Sequence, residues 1–252
     1  MHKSISNGRI LTPAAIILLI AFTIGAAFVQ RTTGFGFGIF IMTMLPYLLP
    51  SYGEATTLSG MLAMLTSLVL AIKYRKLISW RNLAPILITF LIVSSGAVLL
   101  LGVLSNAVLH KILGITLILA AIYFWFFSGK ISIKPNLPTQ ASLGTLSGIM
   151  GGLFGMQGPP AVLYFLSVSR TKEEYAAIAQ TYFLIGNIAM TIYRAHSGFL
   201  TSSVLTSWCY ALPAVFIGTW LGGLAFKRLS LPLLKKIVYA YIALSGVLAL
   251  CS

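Results

Sequence analysis

Apolar runs about as long as a bilayer is thick recur along this sequence, and nothing else in it constrains the fold as strongly. A helix needs about 20 predominantly apolar residues to cross the hydrocarbon core. Runs on that scale cover 10–30, 54–72, 83–104, 107–127, 175–193, 202–226 and 231–250. Another, over 141–156, is marginal and rich in glycine. Two more, 34–50 and 158–169, are apolar but too short for an ordinary span. Charged residues make up only 8% of the chain, against about 25% in soluble domains. A surface with so few charges faces lipid, so an all-α, polytopic membrane protein is expected.

The net charge is +14, from 17 Lys and Arg against 3 acids. On a soluble domain that excess would point to nucleic acid. Here the basic residues sit in short clusters between apolar runs, as in cytoplasmic loops, where anionic lipid attracts them. Membrane lipid is therefore the expected partner, and nucleic acid is not. Cys209 and Cys251 lie in or at the end of apolar segments, with neither metal-ligand spacing nor an implied disulfide. The first run follows Lys3 and Arg9 like a signal peptide, but it is long and no clear cleavage pattern follows, so it reads as a retained helix.

The two halves repeat one another. Gly155 opens a glycine-rich break 121 positions after Gly34, and Glu174 follows Glu54 by 120. Tyr193-Arg194 follows Tyr74-Arg75 by 119, and Gly218 follows Gly96 by 122. The common order and near-constant offset divide the chain into a first transmembrane repeat (1–128), a cytoplasmic linker (129–138) and a second repeat (139–252). Duplication of this kind is common among transporters. The positive-inside rule places the loop with Lys73, Arg75, Lys76 and Arg81 in the cytoplasm. If the short segments cross, each half has about five helical elements, the repeats are inverted, and both termini lie outside. If they are re-entrant, each half has four crossings and the repeats run parallel, with Arg170-Lys172 outside. The charge pattern favours the inverted arrangement.

Paired short segments broken by Gly or Pro are the best sequence pointer to a transporter's binding site. The first break spans Gln30, Arg31 and the glycines Gly34, Gly36 and Gly38; the second runs from Gly151 to Gln157, Gly158, Pro159 and Pro160. Glycines let backbone amides approach a ligand, and a helix starting after them turns its positive end toward an anion. Arg31 is a candidate counter-charge, with Gln30 and Gln157 as neutral donors. Thr56 and Thr57 on one helix, and Gln180 and Asn187 on the matching one, are candidates to line the path. Arg194 and His196, ending a span, read as interfacial anchors. No acid is clearly mid-span, and no nucleotide-binding motif, metal pattern or paired-carboxylate site is present. No enzyme, cofactor or metal is therefore expected.

The break Gly34-Phe35-Gly36-Phe37-Gly38, and the run from Gly155 through Pro159-Pro160 to Tyr164, resemble the TauE/SafE sulfite-exporter family over nearly the whole chain. In this chain the first break alternates Gly with Phe, where the family often has consecutive glycines, and Gln157 stands where another glycine is frequent. The resemblance implies a secondary transporter, an exporter by direction, for a small sulfur-containing anion such as sulfite or an organosulfonate. An anion channel, or a membrane-embedded enzyme or assembly protein, is the alternative. Small residues on the spans admit a homodimer.

Overall fold

A computed structural model describes residues 12–101, 103–127 and 133–228, with isolated positions beyond. All but three positions of the run 231–250, with Lys3, Arg9, Lys130, Tyr241 and Cys251, lie outside the described residues, as do the side chains of the aromatic cluster 123–127. Among the described residues every regular element is helical.

Helix α1 (Pro13–Thr33) starts where Thr12 Oγ1 accepts from the Ala15 N–H, with Pro13 in its first turn, and ends at Gly34. The short segment 34–50 forms two small helices, α2 (Phe37–Ile41) and α3 (Leu45–Leu48), because Pro46 starts a new turn after α2 has ended at Met42. Helix α4 (Tyr52–Lys73) is capped by Ser51, and a 3-10 turn over Arg75–Leu77 leads to α5 (Trp80–Leu100) and then α6 (Asn106–Phe127). In the second half, α7 (Leu137–Phe154) is capped by Asn136 and ends at Gly155, and α8 (Gly158–Val168) is short. Helices α9 (Lys172–His196), capped by Thr171, and α10 (Ser202–Arg228) follow. Among the described residues five helices, α1, α4, α5, α9 and α10, are long and apolar enough to cross a membrane.

The paired sequence markers occupy like positions. Gly34 and Gly155 both end a helix in the left-handed region, at φ 83° and 68°. The Ser51 and Thr171 hydroxyls accept from the Glu54 and Glu174 N–H groups at 3.2 and 3.1 Å, so α4 and α9 start with the same cap.

Glycines set how the long helices meet. A Cβ on Gly144 of α7 would lie 2.9 Å from the Ile86 carbonyl of α5, and one on Gly148 would lie 2.8 Å from Val93 Cβ. Further along, Gly152 abuts Ala97. Residue numbers rise together, so α5 and α7 run parallel. On the other side Gly218 of α10 abuts the Ile24 carbonyl, and Gly222 lies against Phe28 and Arg31, so α1 and α10 are parallel as well. Without a hydrophobic force between helices in lipid, such small residues allow the close backbone approach on which packing depends. Each half's first helix thus packs on the other half's third long helix. Between these pairs lie α4 and α9, which run antiparallel: Gly53 meets Phe199, while Gly60 meets Thr191 and Asn187.

These directions gather the described basic loops at one end. The turn after α4 packs against the start of α9, which puts Lys73, Arg75 and Lys172 together. Helices α5 and α7 both begin there, after Ser79 and Asn136, and α10 ends there at Arg228. Exposed Ile17, Ile88, Ile92, Leu99, Phe216 and Trp220 on α1, α5 and α10 form the apolar outside of the bundle.

Candidate functional site

The two breaks meet in the middle of the bundle. Gly36 has φ 98°, so the chain turns between α1 and α2 through two left-handed residues, Gly34 and Gly36, a conformation in which a side chain clashes. This turn presents Gly38 to the second break so closely that a Cβ there would collide with the Gly155 carbonyl oxygen. Gly158 in turn lies against Phe35, with 3.3 Å available to a Cβ.

A small cavity of about 30 Å³ lies between the breaks. Of the residues singled out in the sequence, Gln30, Gly36, Gly38, Gln157, Gly158 and Asn187 line it, beside Phe35, Phe37, Ile39, Ala63, Gly155, Met156 and Phe183. No acid lines it. The first N–H groups of a helix lack an intrahelical acceptor, and in α2 these belong to Phe37, Gly38 and Ile39, all in the lining. Helix α8 contributes fewer donors than expected, because Pro159 and Pro160 in its first turn carry no N–H.

Carboxamides hold the site together. Gln30 Nε2 donates to Ser67 Oγ at 2.9 Å and to Gln180 Oε1 at 3.4 Å. Gln180 Nε2 donates to the Gly34 carbonyl at 2.7 Å, fixing the first break to α9. Gln157 Nε2 donates to the Phe183 carbonyl at 3.3 Å, and its own carbonyl accepts from the Ser147 hydroxyl, which Tyr182 supports at 2.8 Å.

The other candidates lie outside the lining. The Thr56 and Thr57 hydroxyls donate to the Gly53 carbonyl, one turn back in their own helix, at 2.9 and 2.7 Å. Pro159 is buried in the start of α8, and Gly34 and Gln180 form the layer behind Gln30. Arg31 is half-buried along α10, with its guanidinium beside Gly223 rather than in the cavity.

Arg194 overturns its expected interfacial role. It is 0% exposed. Nη1 donates to the Thr56 carbonyl at 3.0 Å, and Nη2 donates to the Gly151 and Gly152 carbonyls at 2.8 and 3.1 Å. The sequence does contain a signal for this. Gln180, Asn187 and Arg194 recur every seventh residue and so share one face of α9. Tyr164, which ends the second glycine- and proline-rich run, makes another buried polar contact, with Gln140 and Asn82.

The model for the sulfite exporter TauE/SafE family matches residues 17–249. The chain belongs to the TauE/SafE family. One curated relative, the probable sulfite/organosulfonate exporter TauE of Cupriavidus necator, is 25% identical over 200 residues, which cover 77% of each chain. No solved structure matches. As a TauE/SafE protein with five long apolar helices among its described residues, the chain is a multi-pass transporter, a class that in bacteria resides in the inner membrane. The glycine breaks that carried the resemblance are the elements that enclose its cavity.

Proposed function

We propose that the protein exports a small sulfur oxyanion, sulfite or an organosulfonate, by alternating access around the cavity between its two breaks. The observation that carries this is the convergence of Gln30, Gln157 and Asn187 with the free amide end of α2 on a space without a carboxylate. Oriented N–H dipoles at membrane depth favour an anion, as they do in other broken-helix transporters. The activity for which the Cupriavidus relative is named supports sulfur oxyanions as the class and export as the direction. A cavity of about 30 Å³ holds about two waters, which fits a closed form that must open to load. No step of covalent chemistry is assigned, and the protein is read as a transporter rather than an enzyme.

We also infer that the repeats are inverted and that the short segments cross. The antiparallel course of α4 and α9, which start with the same cap, supports this. So does the gathering of Arg75, Lys172 and Arg228 at one end, which the positive-inside rule makes cytoplasmic.

The test is uptake into proteoliposomes of the purified protein. Saturable uptake of sulfite, competed by sulfonates and poorly by acetate, is expected. Equal passage of all small anions without saturation would favour a channel. Absence of any sulfite or sulfonate flux would refute the proposal.

A further inference from the structure

The buried Arg194 has no part in the cavity lining, yet it stands on one of the routes out of it. On α4, Ala63 lines the cavity, Gly60 lies one turn further toward the end opposite the basic loops, and Thr56 lies one turn beyond that. On α9, Asn187 lines the cavity and Arg194 lies two turns further in the same direction. A Cβ placed on Gly60 would be 3.6 Å from Asn187 Oδ1, Thr191 Oγ1 and Arg194 Nη1 alike, so a polar line runs from the lining to the guanidinium. Its bonds join α9 to α4 through Thr56 and to the end of α7 through Gly151 and Gly152. Gly155, three residues further on, lines the cavity. Arg194 therefore bridges both halves across the outer side of the site.

Its environment lacks the partner such a charge normally has. Among the described residues no carboxylate is bonded to it: Glu173 and Glu174 begin α9 at its other end, and the Glu54 carboxylate bonds Thr201. Its Nε–H is buried without an acceptor. A fully buried cation is costly and is usually paired or functional. Among the described residues its hydrogen-bond partners are neutral carbonyls, and the Tyr52 hydroxyl stands nearby. A guanidinium bonds an oxyanion more strongly than a carbonyl, and in bidentate fashion. On the inner side the corresponding closure is neutral, made by Gln30, Ser67 and Gln180. Arg75, its counterpart in the sequence repeat, is exposed in the basic loop.

We propose that Arg194 is the outer gate of the anion path: a cationic latch that holds α4, α7 and α9 together until the transported oxyanion competes for it. This rests on the anion-transport reading. An anion arriving from the cavity along Asn187 meets the Nη1 side of the guanidinium, can occupy the unpartnered Nε–H as well, and displaces the carbonyls. The Gly151–Gly155 turn is freed, and the path opens away from the basic end. Arg194 is a positioning residue in this scheme, and its charge also draws the anion outward.

Three measurements on the full chain in nanodiscs and proteoliposomes test the latch. Hydrogen exchange of wild-type peptides covering 148–157 should rise about tenfold on adding sulfite, and unchanged or slower exchange would overturn the proposal. Arg194→Lys keeps the charge but loses the planar fork, so the latch is weaker. The outward-open population should then grow, lowering the half-saturation constant measured from the outer face about threefold and raising that from the inner face. A purely structural role predicts equal losses from both faces, or no change, and either result would overturn the gate. Arg194→Gln should exchange rapidly over 148–157 with or without sulfite, and its counterflow should fall at least tenfold. Should that variant fail to fold, the wild-type exchange and the Lys variant still decide. If the wild type moves neither sulfite nor a sulfonate, the transport reading itself fails, whereas wild-type transport with unaltered exchange removes only the latch.

Discussion

At Gly38 the chain tolerates no side chain, because a Cβ would overlap the Gly155 carbonyl that forms the opposite wall. Gly38→Ala must push the breaks apart. A cost of about 1–3 kcal/mol is expected for overpacking of this kind, with sulfite transport reduced more than tenfold. Thermal melting in detergent and flux in proteoliposomes measure the two effects separately. Thr56→Val is expected to behave differently. The Thr56 hydroxyl bonds its own helix, and only its carbonyl meets Arg194, so the variant should keep near-normal transport and lose less than about 1 kcal/mol. Transport loss without unfolding in that variant would return the hydroxyl to the path. Glycines at breaks are legible from sequence because few other residues adopt a left-handed turn, which is why Gly34, Gly36 and Gly155 stand out. The burial of Arg194 is not legible in the same way. A charged residue near a helix end belongs to the interface in most proteins, and only the tertiary approach of α4 and α7 encloses this one.

Glycines within helices divide by what faces them. Gly148 of α7 leaves 2.8 Å to Val93, whereas a Cβ on Gly96 of α5 would meet nothing within 4 Å. Gly148→Leu is expected to separate α5 from α7 and cost at least about 2 kcal/mol. Gly96→Leu should be tolerated within about 0.5 kcal/mol, as surface changes usually are. Melting temperatures of the two variants in the same detergent test this pair, and equal destabilisation would contradict the packing described. The long elements are readable from their apolar runs, and the start of α7 at Leu137, before the apolar run over 141–156, reflects the Asn136 cap and the proline after it. The segment 34–50 reads as one short element in the sequence. It splits because Pro46 cannot continue the ladder of α2.

For the whole molecule, the order of apolar runs points to a bundle but leaves the direction of its helices open. Helix directions depend on which faces meet, and those contacts run between residues far apart in the chain, such as Gly218 with Ile24. The structure turns exposed Lys172 and exposed Ser197 to opposite ends of α9. A cysteine at position 197, in a chain whose own cysteines are replaced by serine, should be labelled in intact cells by an impermeant maleimide. A cysteine at position 172 should be labelled only after permeabilisation. The reverse pattern would place the basic end outside and contradict its cytoplasmic assignment. The most direct test of the central claim is sulfite counterflow. Proteoliposomes preloaded with unlabelled sulfite should accumulate external labelled sulfite transiently above equilibrium, as a carrier with a single alternating site requires. Passive equilibration without overshoot would contradict alternating access at the paired glycine breaks.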